Sequence, residues 1–230
     1  MAREFATKRM FNGAPRPTHQ AIYGELRERI LFGDFEPGGS VTLQGVADEL
    51  GVSLTPVREA VRRLIAGGAL QFHDNRRISL PAMTEPLLEE IYAVRAVTEP
   101  ELARRAADHA TREDVERLVT LDFALDEAIA KGDVKGYLRA NYDFHFGLYG
   151  LSDSRVFLPI VENLWLQFGP CLRVACHRFG TSGFSDQHKQ AIAALRSGDA
   201  EAARHAVAED IEQGHLFVLD DLRRDGGVAD

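Results

Sequence analysis

Long apolar segments are absent from this sequence, and cysteine is scarce. No apolar stretch approaches the roughly 20 residues that a membrane-spanning helix needs, and residues 1–20 lack the hydrophobic core of a secretory signal. The two cysteines, Cys171 and Cys176, lie five residues apart in a predicted helix, so their side chains diverge. We therefore expect a protein without disulfides or membrane contacts, located in the reducing cytoplasm or at the nucleoid.

Positive charge is also scarce overall, but its distribution is uneven. The chain has 27 basic and 35 acidic residues, and its formal net charge is −8. Residues 1–81 hold 11 basic and 9 acidic side chains, whereas the rest of the chain holds 16 basic and 26 acidic ones. Because an acidic surface repels the DNA backbone, we expect only the N-terminal part to approach DNA.

The N-terminal part shows the spacing of three short helices. Apolar residues at helical intervals predict a first helix from Thr18 to Gly33. A second helix follows, with Thr42 as a cap and Gly51 as a left-handed end. Ser53 or Thr55 caps a third helix, which the pair of glycines after Ala66 ends.

A short hairpin is predicted after the third helix. Two extended runs, 69–73 and 77–80, flank Asp74-Asn75, and asparagine tolerates the positive φ of a tight turn. Three helices followed by a hairpin indicate a winged helix-turn-helix, whose third helix enters the major groove by its N-terminal end.

After Pro81 the strand signals vanish, and amphipathic helices are predicted at 86–108, 112–131, 134–150, 154–167, 169–179, 184–197 and 199–223. Short loops between helices of this length indicate an antiparallel bundle. The predicted fold is therefore mainly α. A flexible basic arm at 1–17 precedes a winged helix-turn-helix domain at 18–81, and an all-helical domain at 82–230 binds an effector and dimerises.

Two sets of motifs carry a family resemblance. The string TPVREA at 55–60, preceded by Leu50-Gly51-Val52-Ser53, resembles the DNA-binding domain of the GntR family of bacterial regulators. The helical part resembles the ligand-sensing domain of its FadR subfamily, often called FCD, through motifs at 92–99, 141–145 and 187–188. The resemblance implies a homodimeric, ligand-responsive repressor. Such a protein would bind inverted half-sites in double-stranded operator DNA and sense a small carboxylate effector.

The resemblance places DNA contacts at the start of the third helix and on the wing. It implies that Thr55 and Arg58 touch phosphates and base edges, and an arginine can read guanine through two hydrogen bonds. A surface ion pair of Arg58 with Glu59 or Glu25 is the alternative. The sequence has Leu54 where the family usually has arginine. The full set of candidate DNA-binding residues is Gln44, Ser53, Thr55, Arg58, Arg62, His73, Asn75, Arg76 and Arg77.

A metal site is also implied by the resemblance, with an altered ligand set. Where metal-binding members of the family have Asp, His, His and His, this chain has Asn141, His145, His188 and Asp210. Two imidazoles and a carboxylate suit Zn²⁺, Ni²⁺, Fe²⁺ or Mn²⁺. The alternative is a metal-free polar pocket in which these groups hydrogen-bond to one another, to water or to the effector.

Effector contacts are predicted at Arg95, Arg173 and His177. Arg95 resembles an arginine that often lies near the pocket and could clamp a carboxylate, although an ion pair with Glu99, four residues on, is the alternative. His205 and His215 are predicted to lie on the surface.

Three functional classes remain after the motifs are weighed. A ligand-responsive regulator is favoured, and a regulator for which the metal itself is the signal is the second hypothesis. A metal-dependent enzyme is disfavoured because no general base with a supporting partner is readable beside the histidines.

Overall fold

The computed structural model describes residues 19–33, 35, 39–73, 77–181 and 186–226. The chain divides into two compact units, Met1–Ala82 and Met83–Asp230. The basic arm predicted at 1–17 lies outside the described residues, as do Asn75 and Arg76 of the wing.

The first unit contains the predicted helices and hairpin, with the elements α1 (His19–Phe32), β1 (Ser40–Thr42), α2 (Leu43–Leu50), α3 (Leu54–Ala66), β2 (Gln71–His73) and β3 (Arg77–Ser79). One face of each helix is buried, as its apolar spacing requires. Leu26 of α1, Leu50 of α2 and Leu64 of α3 are at most 1% exposed. Removing each leucine from water is worth about 1.5–3 kcal/mol, so this small core holds the three helices together.

A third strand, β1, was not predicted from the sequence. It pairs antiparallel with β3 in the register Val41 to Ile78, and β2 pairs with the other edge of β3, so that the strand order is β1-β3-β2. The run Ser40–Thr42 is too short to show the alternation by which a strand is recognised. Its backbone is nevertheless extended because it supplies hydrogen-bond partners to the free edge of β3.

The second unit is a helical bundle, made of α4 (Glu85–Ala107), α5 (Arg112–Lys131), α6 (Val134–Gly150), α7 (Phe157–Phe179), α8 (Gln187–Ser197) and α9 (Ala200–Gly226). Packing of α4 against α9 and of α5 against α6 forms its frame. The core cluster includes Leu102, Phe144, Val161 and Trp165. Among the described residues, no helix combines the length and apolarity that a bilayer crossing requires.

The predicted break after residue 167 is wrong, because one continuous helix, α7, covers both predicted segments. Gly169 and Pro170 suggested the break, since proline removes a helical hydrogen bond. Both residues are buried, and the packing around them compensates for the missing bond. Pro100 is likewise buried inside α4.

Candidate functional sites

The connection between α2 and α3 is a tight turn that fixes the start of α3. Gly51 adopts the left-handed conformation with φ of 67° and donates its N–H to the end of α2. The N–H of Val52 reaches the carbonyl oxygen of Ala47 at 3.0 Å. Ser53 is the N-cap residue of α3, but its side chain makes no capping hydrogen bond. The hydroxyl of Ser53 is therefore not committed to the helix end.

One exposed face of α3 carries the predicted DNA contacts. Thr55, Arg58 and Arg62 are exposed and follow helical spacing, while Val57 and Val61 are buried beneath them. The alternative partners of Arg58 are engaged elsewhere. Glu59 pairs with Arg62 at 2.9 Å, and Glu25 pairs with Arg29 at 3.0 Å. Within the described part of the chain, no ion pair holds the guanidinium of Arg58.

The wing presents polar side chains that are linked across the strands. Arg77 donates from Nε to Ser40 Oγ at 2.7 Å and from Nη2 to the Ser40 carbonyl oxygen at 2.8 Å. His73 Nε2 lies 2.7 Å from Ser79 Oγ. Both Arg77 and His73 remain exposed. Their role at DNA stays a prediction, and so does that of Gln44, which is exposed on α2 and donates to Asp48 at 2.8 Å.

The second unit contains a partly open cavity of about 150 Å³, which we call the sensor cavity. Every helix of the bundle contributes to the wall of this cavity, and so does Asp186, the residue before α8. The lining residues are Arg95, Leu125, Asp126, Ile129, Tyr137, Asn141, His145, Trp165, Phe168, Leu172, Asp186, Gln187, His188, Asp210, Ile211 and Gly214. The sequence-predicted residues Arg95, Asn141, His145, His188 and Asp210 are thus brought together.

Three of these side chains converge closely enough to share one ion. His145 Nε2 lies 3.1 Å from Asp210 Oδ2 and 3.3 Å from His188 Nε2. His188 Nε2 lies 3.7 Å from Asp210 Oδ1. We call His145, His188 and Asp210 the ligand cluster. Asn141 lies one helical turn before His145 on α6 and also faces the cavity.

The outward nitrogens of both histidines have partners of their own. His145 Nδ1 lies 3.0 Å from the hydroxyl oxygen of Tyr149. His188 Nδ1 lies 3.5 Å from Asp122 Oδ1, a long but buried contact. The inward nitrogens therefore both point at the centre of the ligand cluster, which is the arrangement that metal-binding histidines adopt.

Asp210 stays ionised in this setting. Burial acts to raise its pKa, but the attraction of His145, together with that of His188 and Arg95, outweighs burial and lowers the pKa to about 2. The Asp210 carboxylate is therefore anionic throughout the physiological pH range.

Arg95 is both a cavity residue and an ion-pair partner. Its Nε donates to Glu99 Oε1 at 2.5 Å, and neither side chain is more than 3% exposed. Its guanidinium lies over the Phe168 ring, 4.1 Å from the centroid. The ion pair that the sequence offered as an alternative is therefore present, and Arg95 lines the cavity with part of its charge already neutralised.

Arg173 and His177 are not brought to the cavity. Arg173 is buried in α7 outside the lining, and His177 is exposed. Neither residue lines the cavity, and the effector contacts predicted for them stay sequence predictions.

The expectation of an exposed His215 is wrong, whereas His205 is 77% exposed as predicted. His215 is 4% exposed and stacks on Tyr92 at 4.1 Å between ring centroids. Its Nε2 lies 3.3 Å from Glu89 Oε1, and burial lowers its pKa. Imidazole can fill an apolar helix interface when a stacking partner and one carboxylate are available, and the sequence pattern did not reveal these partners.

Two residues that contact the histidines, Tyr149 and Asp122, were missed by sequence reasoning. Tyr149 follows His145 by one helical turn, so the i, i+4 spacing was a usable signal. Nothing in the sequence links Asp122 on α5 to His188, because their contact arises only from helix packing. Trp165, which the sequence offered as an apolar wall of the pocket, does line the cavity, and its Nε1 donates to Glu99 Oε2 at 3.1 Å.

Comparisons with known proteins identify the family of both units. Residues 18–79 match the model for bacterial regulatory proteins of the gntR family, and residues 90–213 match the FCD domain. The chain is 28% identical over 206 residues to the HTH-type transcriptional regulator McbR of Escherichia coli, which covers 88% of this chain and 93% of McbR. It is 24% identical over 199 residues to the E. coli transcriptional repressor RspR, and this alignment covers 86% of this chain and 87% of RspR.

Solved structures give the same result. E. coli McbR superposes with a TM-score of 0.82 at 26% identity, covering 88% of this chain and 97% of that structure. A GntR-type regulator from Rhodococcus sp. RHA1 superposes with a TM-score of 0.72 at 25% identity over the same shares. These relatives are transcriptional regulators and not enzymes.

Proposed function

Because the chain belongs to the GntR family of bacterial regulatory proteins and carries an FCD domain, we propose that it is a homodimeric repressor controlled by a small carboxylate metabolite. The metabolite binds in the sensor cavity beside a divalent metal and changes the affinity for operator DNA. The convergence of His145, His188 and Asp210 inside this cavity carries the proposal. A dimer is expected because one small domain makes too few contacts for tight specific binding.

DNA binding is assigned to the exposed face of α3 and to the wing. Arg58 reads a base edge, since its guanidinium is exposed and not held in an ion pair within the described residues. Thr55 and Arg62 contact the phosphate backbone. The ion pair of Arg62 with Glu59 is exposed at both ends, at 69% and 52%, and such pairs are weak enough to exchange for a phosphate.

The ligand cluster fits a divalent metal. Metal–nitrogen bonds of about 2.0–2.1 Å in tetrahedral geometry place two ligand atoms about 3.3 Å apart. The separations of 3.1 and 3.3 Å around His145 Nε2 match this value. Zn²⁺, Ni²⁺, Fe²⁺ and Mn²⁺ all accept imidazole and carboxylate together, and Asn141 adds an amide oxygen close by.

The charges around the cavity explain why an acidic effector would need the metal. Two basic side chains, Arg95 and Lys189, stand against five carboxylates at or beside the cavity, namely Glu99, Asp122, Asp126, Asp186 and Asp210. Lys189 pairs with Asp126 at 2.9 Å and also with Asp186. An acidic effector that enters without a metal therefore meets a net negative charge. A divalent ion bound at Asp210 would make the local charge at that position positive.

The size of the cavity indicates how large a molecule it can hold. A protein cavity of about 150 Å³ holds a molecule as large as benzene, which has six heavy atoms. The wall combines the polar ligand cluster with apolar side chains of Ile129, Phe168 and Leu172. An acid of about six to eight heavy atoms with a short apolar part matches both the volume and the lining.

The metal part of the proposal is tested by metal analysis. Untagged full-length protein is purified without chelator and examined by inductively coupled plasma mass spectrometry. We expect close to one divalent ion per chain, and none in the Asp210→Asn, His188→Ala double variant. Wild-type protein that contains no metal and takes up none of the four ions would contradict this part.

The effector part is tested by calorimetry with malonate and its neutral analogue malonamide as probes. We expect malonate to bind the metal-loaded protein and not the metal-free protein, while malonamide binds neither form well. Equal binding of malonate with and without metal would show that the ligand cluster does not recruit the acid.

A metal-sensing regulator is the second candidate, because the ligand atoms of the cluster converge within 4.8 Å without any help from an effector group. In that case metal alone would change operator affinity, and the acids would add nothing. Titrating operator binding first with metal and then with acid separates the two candidates.

A further inference from the structure

Glu99 is the most heavily bonded buried carboxylate beside the sensor cavity. It is 0% exposed. Its Oε1 accepts from Arg95 Nε at 2.5 Å, and its Oε2 accepts from the Tyr149 hydroxyl at 2.7 Å and from Trp165 Nε1 at 3.1 Å. The indole and guanidinium groups can only donate hydrogen bonds, so Glu99 acts as an acceptor for this whole set.

The direction of these bonds fixes the proton on Tyr149. A phenolic hydroxyl has one proton to donate, and it is directed to Glu99 Oε2. The tyrosine oxygen therefore faces His145 Nδ1, 3.0 Å away, as an acceptor. His145 can complete that hydrogen bond only if Nδ1 carries a proton.

We propose that Tyr149 and Glu99 form a relay that holds the neutral His145 ring in its Nδ1–H tautomer, so that the lone pair of Nε2 is offered to the ligand cluster. Tyr149 and Glu99 are positioning residues, since neither contacts the centre of the cluster. The value of the relay for metal binding rests on the proposed function, but the tautomer itself does not.

Without the relay the other tautomer is favoured. Nε2 of His145 lies 3.1 Å from the Asp210 carboxylate, and a neutral imidazole with its proton on Nε2 would donate there. That proton would occupy the ligand position of Nε2 and would have to leave before a metal could bind. The attraction of the Asp210 carboxylate favours the Nε2–H tautomer of His145, and the relay opposes this preference.

Glu99 also links the relay to the cavity wall. Arg95 and Trp165, both lining residues, bond to the same carboxylate that orients Tyr149. One side chain thus fixes the guanidinium, the indole and, through Tyr149, the imidazole. Arg95 at 3% exposure and Tyr149 at 0% are both buried, where hydrogen bonds are electrostatically stronger than in water.

The test reads the tautomer directly in metal-free protein. Long-range ¹H–¹⁵N correlation spectra of histidine-labelled protein are recorded at a pH at which the His145 ring is neutral, as judged from its own titration. We expect the Nδ1–H pattern for His145 in the wild type and a shift to the Nε2–H pattern in Tyr149→Phe. The Tyr92→Phe variant is the matched control, since Tyr92 lies outside the lining of the cavity and stacks on His215.

A second readout is zinc affinity, measured by competition with a chromophoric chelator. We expect Tyr149→Phe to weaken zinc binding by about 10–100-fold, the usual effect of removing a partner of a metal-ligating histidine, and Tyr92→Phe to leave it unchanged. An Nε2–H tautomer in the wild type would overturn the relay without need of any variant. An Nδ1–H tautomer in a protein that binds no zinc would leave the relay intact and contradict the proposed metal site instead.

Discussion

The two units of this protein keep their functional side chains in opposite environments. In the first unit, Arg58 and Arg62 project from α3 into solvent. In the second, His145 and Glu99 are at most 1% exposed and are held by several buried partners. A side chain that meets DNA phosphate must be accessible, whereas a side chain that holds a small ligand must be fixed and shielded from water.

This difference determines how each unit tolerates change. An exposed arginine can be replaced with little effect on the fold, because it makes few contacts. A buried group such as Glu99 cannot be altered without leaving several donors unsatisfied, and each unsatisfied donor costs about 1–3 kcal/mol. Variants should therefore separate the two activities cleanly only when they alter ligand atoms or exposed contacts, and leave the buried network intact.

The largest expected effect is on metal binding in the second unit. The double substitution His145→Ala, His188→Ala removes both imidazole ligands, and we expect it to abolish detectable zinc binding in a chelator-competition assay. Operator affinity of the metal-free protein should not change. His205→Ala is the control, because its side chain is 77% exposed and does not belong to the cluster. Retention of zinc in the double variant would place the metal elsewhere.

The next effect is on DNA binding in the first unit. Arg58→Ala removes a base contact worth about 1–3 kcal/mol, so operator affinity should fall by roughly 5–150-fold. Fluorescence anisotropy with an operator selected from a random duplex pool measures this change, and zinc affinity should stay the same. Arg117→Ala, an exposed arginine on α5, is the matched control. Equal losses for the two variants would indicate a general charge effect.

The smallest effect concerns the turn that positions α3. Gly51 has φ of 67° and open space where a Cβ would lie, so Gly51→Ala should cost about 1–2 kcal/mol through backbone strain alone. Gly24 also has open space around its Cβ position, but it lies inside α1. Gly24→Ala should stabilise by roughly 0.5–1 kcal/mol. Chemical denaturation measures the change in the free energy of unfolding for both variants. A change of the same sign in both would contradict the assigned conformation of Gly51.

The two units also differ in how far sequence predicts them. In the first unit the caps Thr42 and Gly51 and the apolar spacing of α3 are local signals, and the structure has the predicted helix-turn-helix there. The strand β1 was missed because it exists only through pairing with β3. In the second unit the ligand cluster was predicted from spacing and resemblance, and the structure brings its residues together.

The remainder of the sensor cavity depends on packing and could not be predicted. Tyr149 and Glu99 each follow a predicted site residue by one helical turn, yet only the approach of α4 to α6 makes them partners of each other. Burial of His215 likewise depends on Tyr92 and Glu89 from α4. Resemblance indicated the candidate ligand residues, and the three-dimensional arrangement showed which groups contact them.

The most direct test of the account measures operator affinity of the full-length protein under four conditions, with malonate and Zn²⁺ each present or absent. The account predicts that malonate changes operator affinity by about 5–150-fold, the usual range of coupling between two sites, and only when zinc is present. An equal effect of malonate without zinc, or an effect of zinc that malonate does not alter, would contradict control by an acid held at a metal.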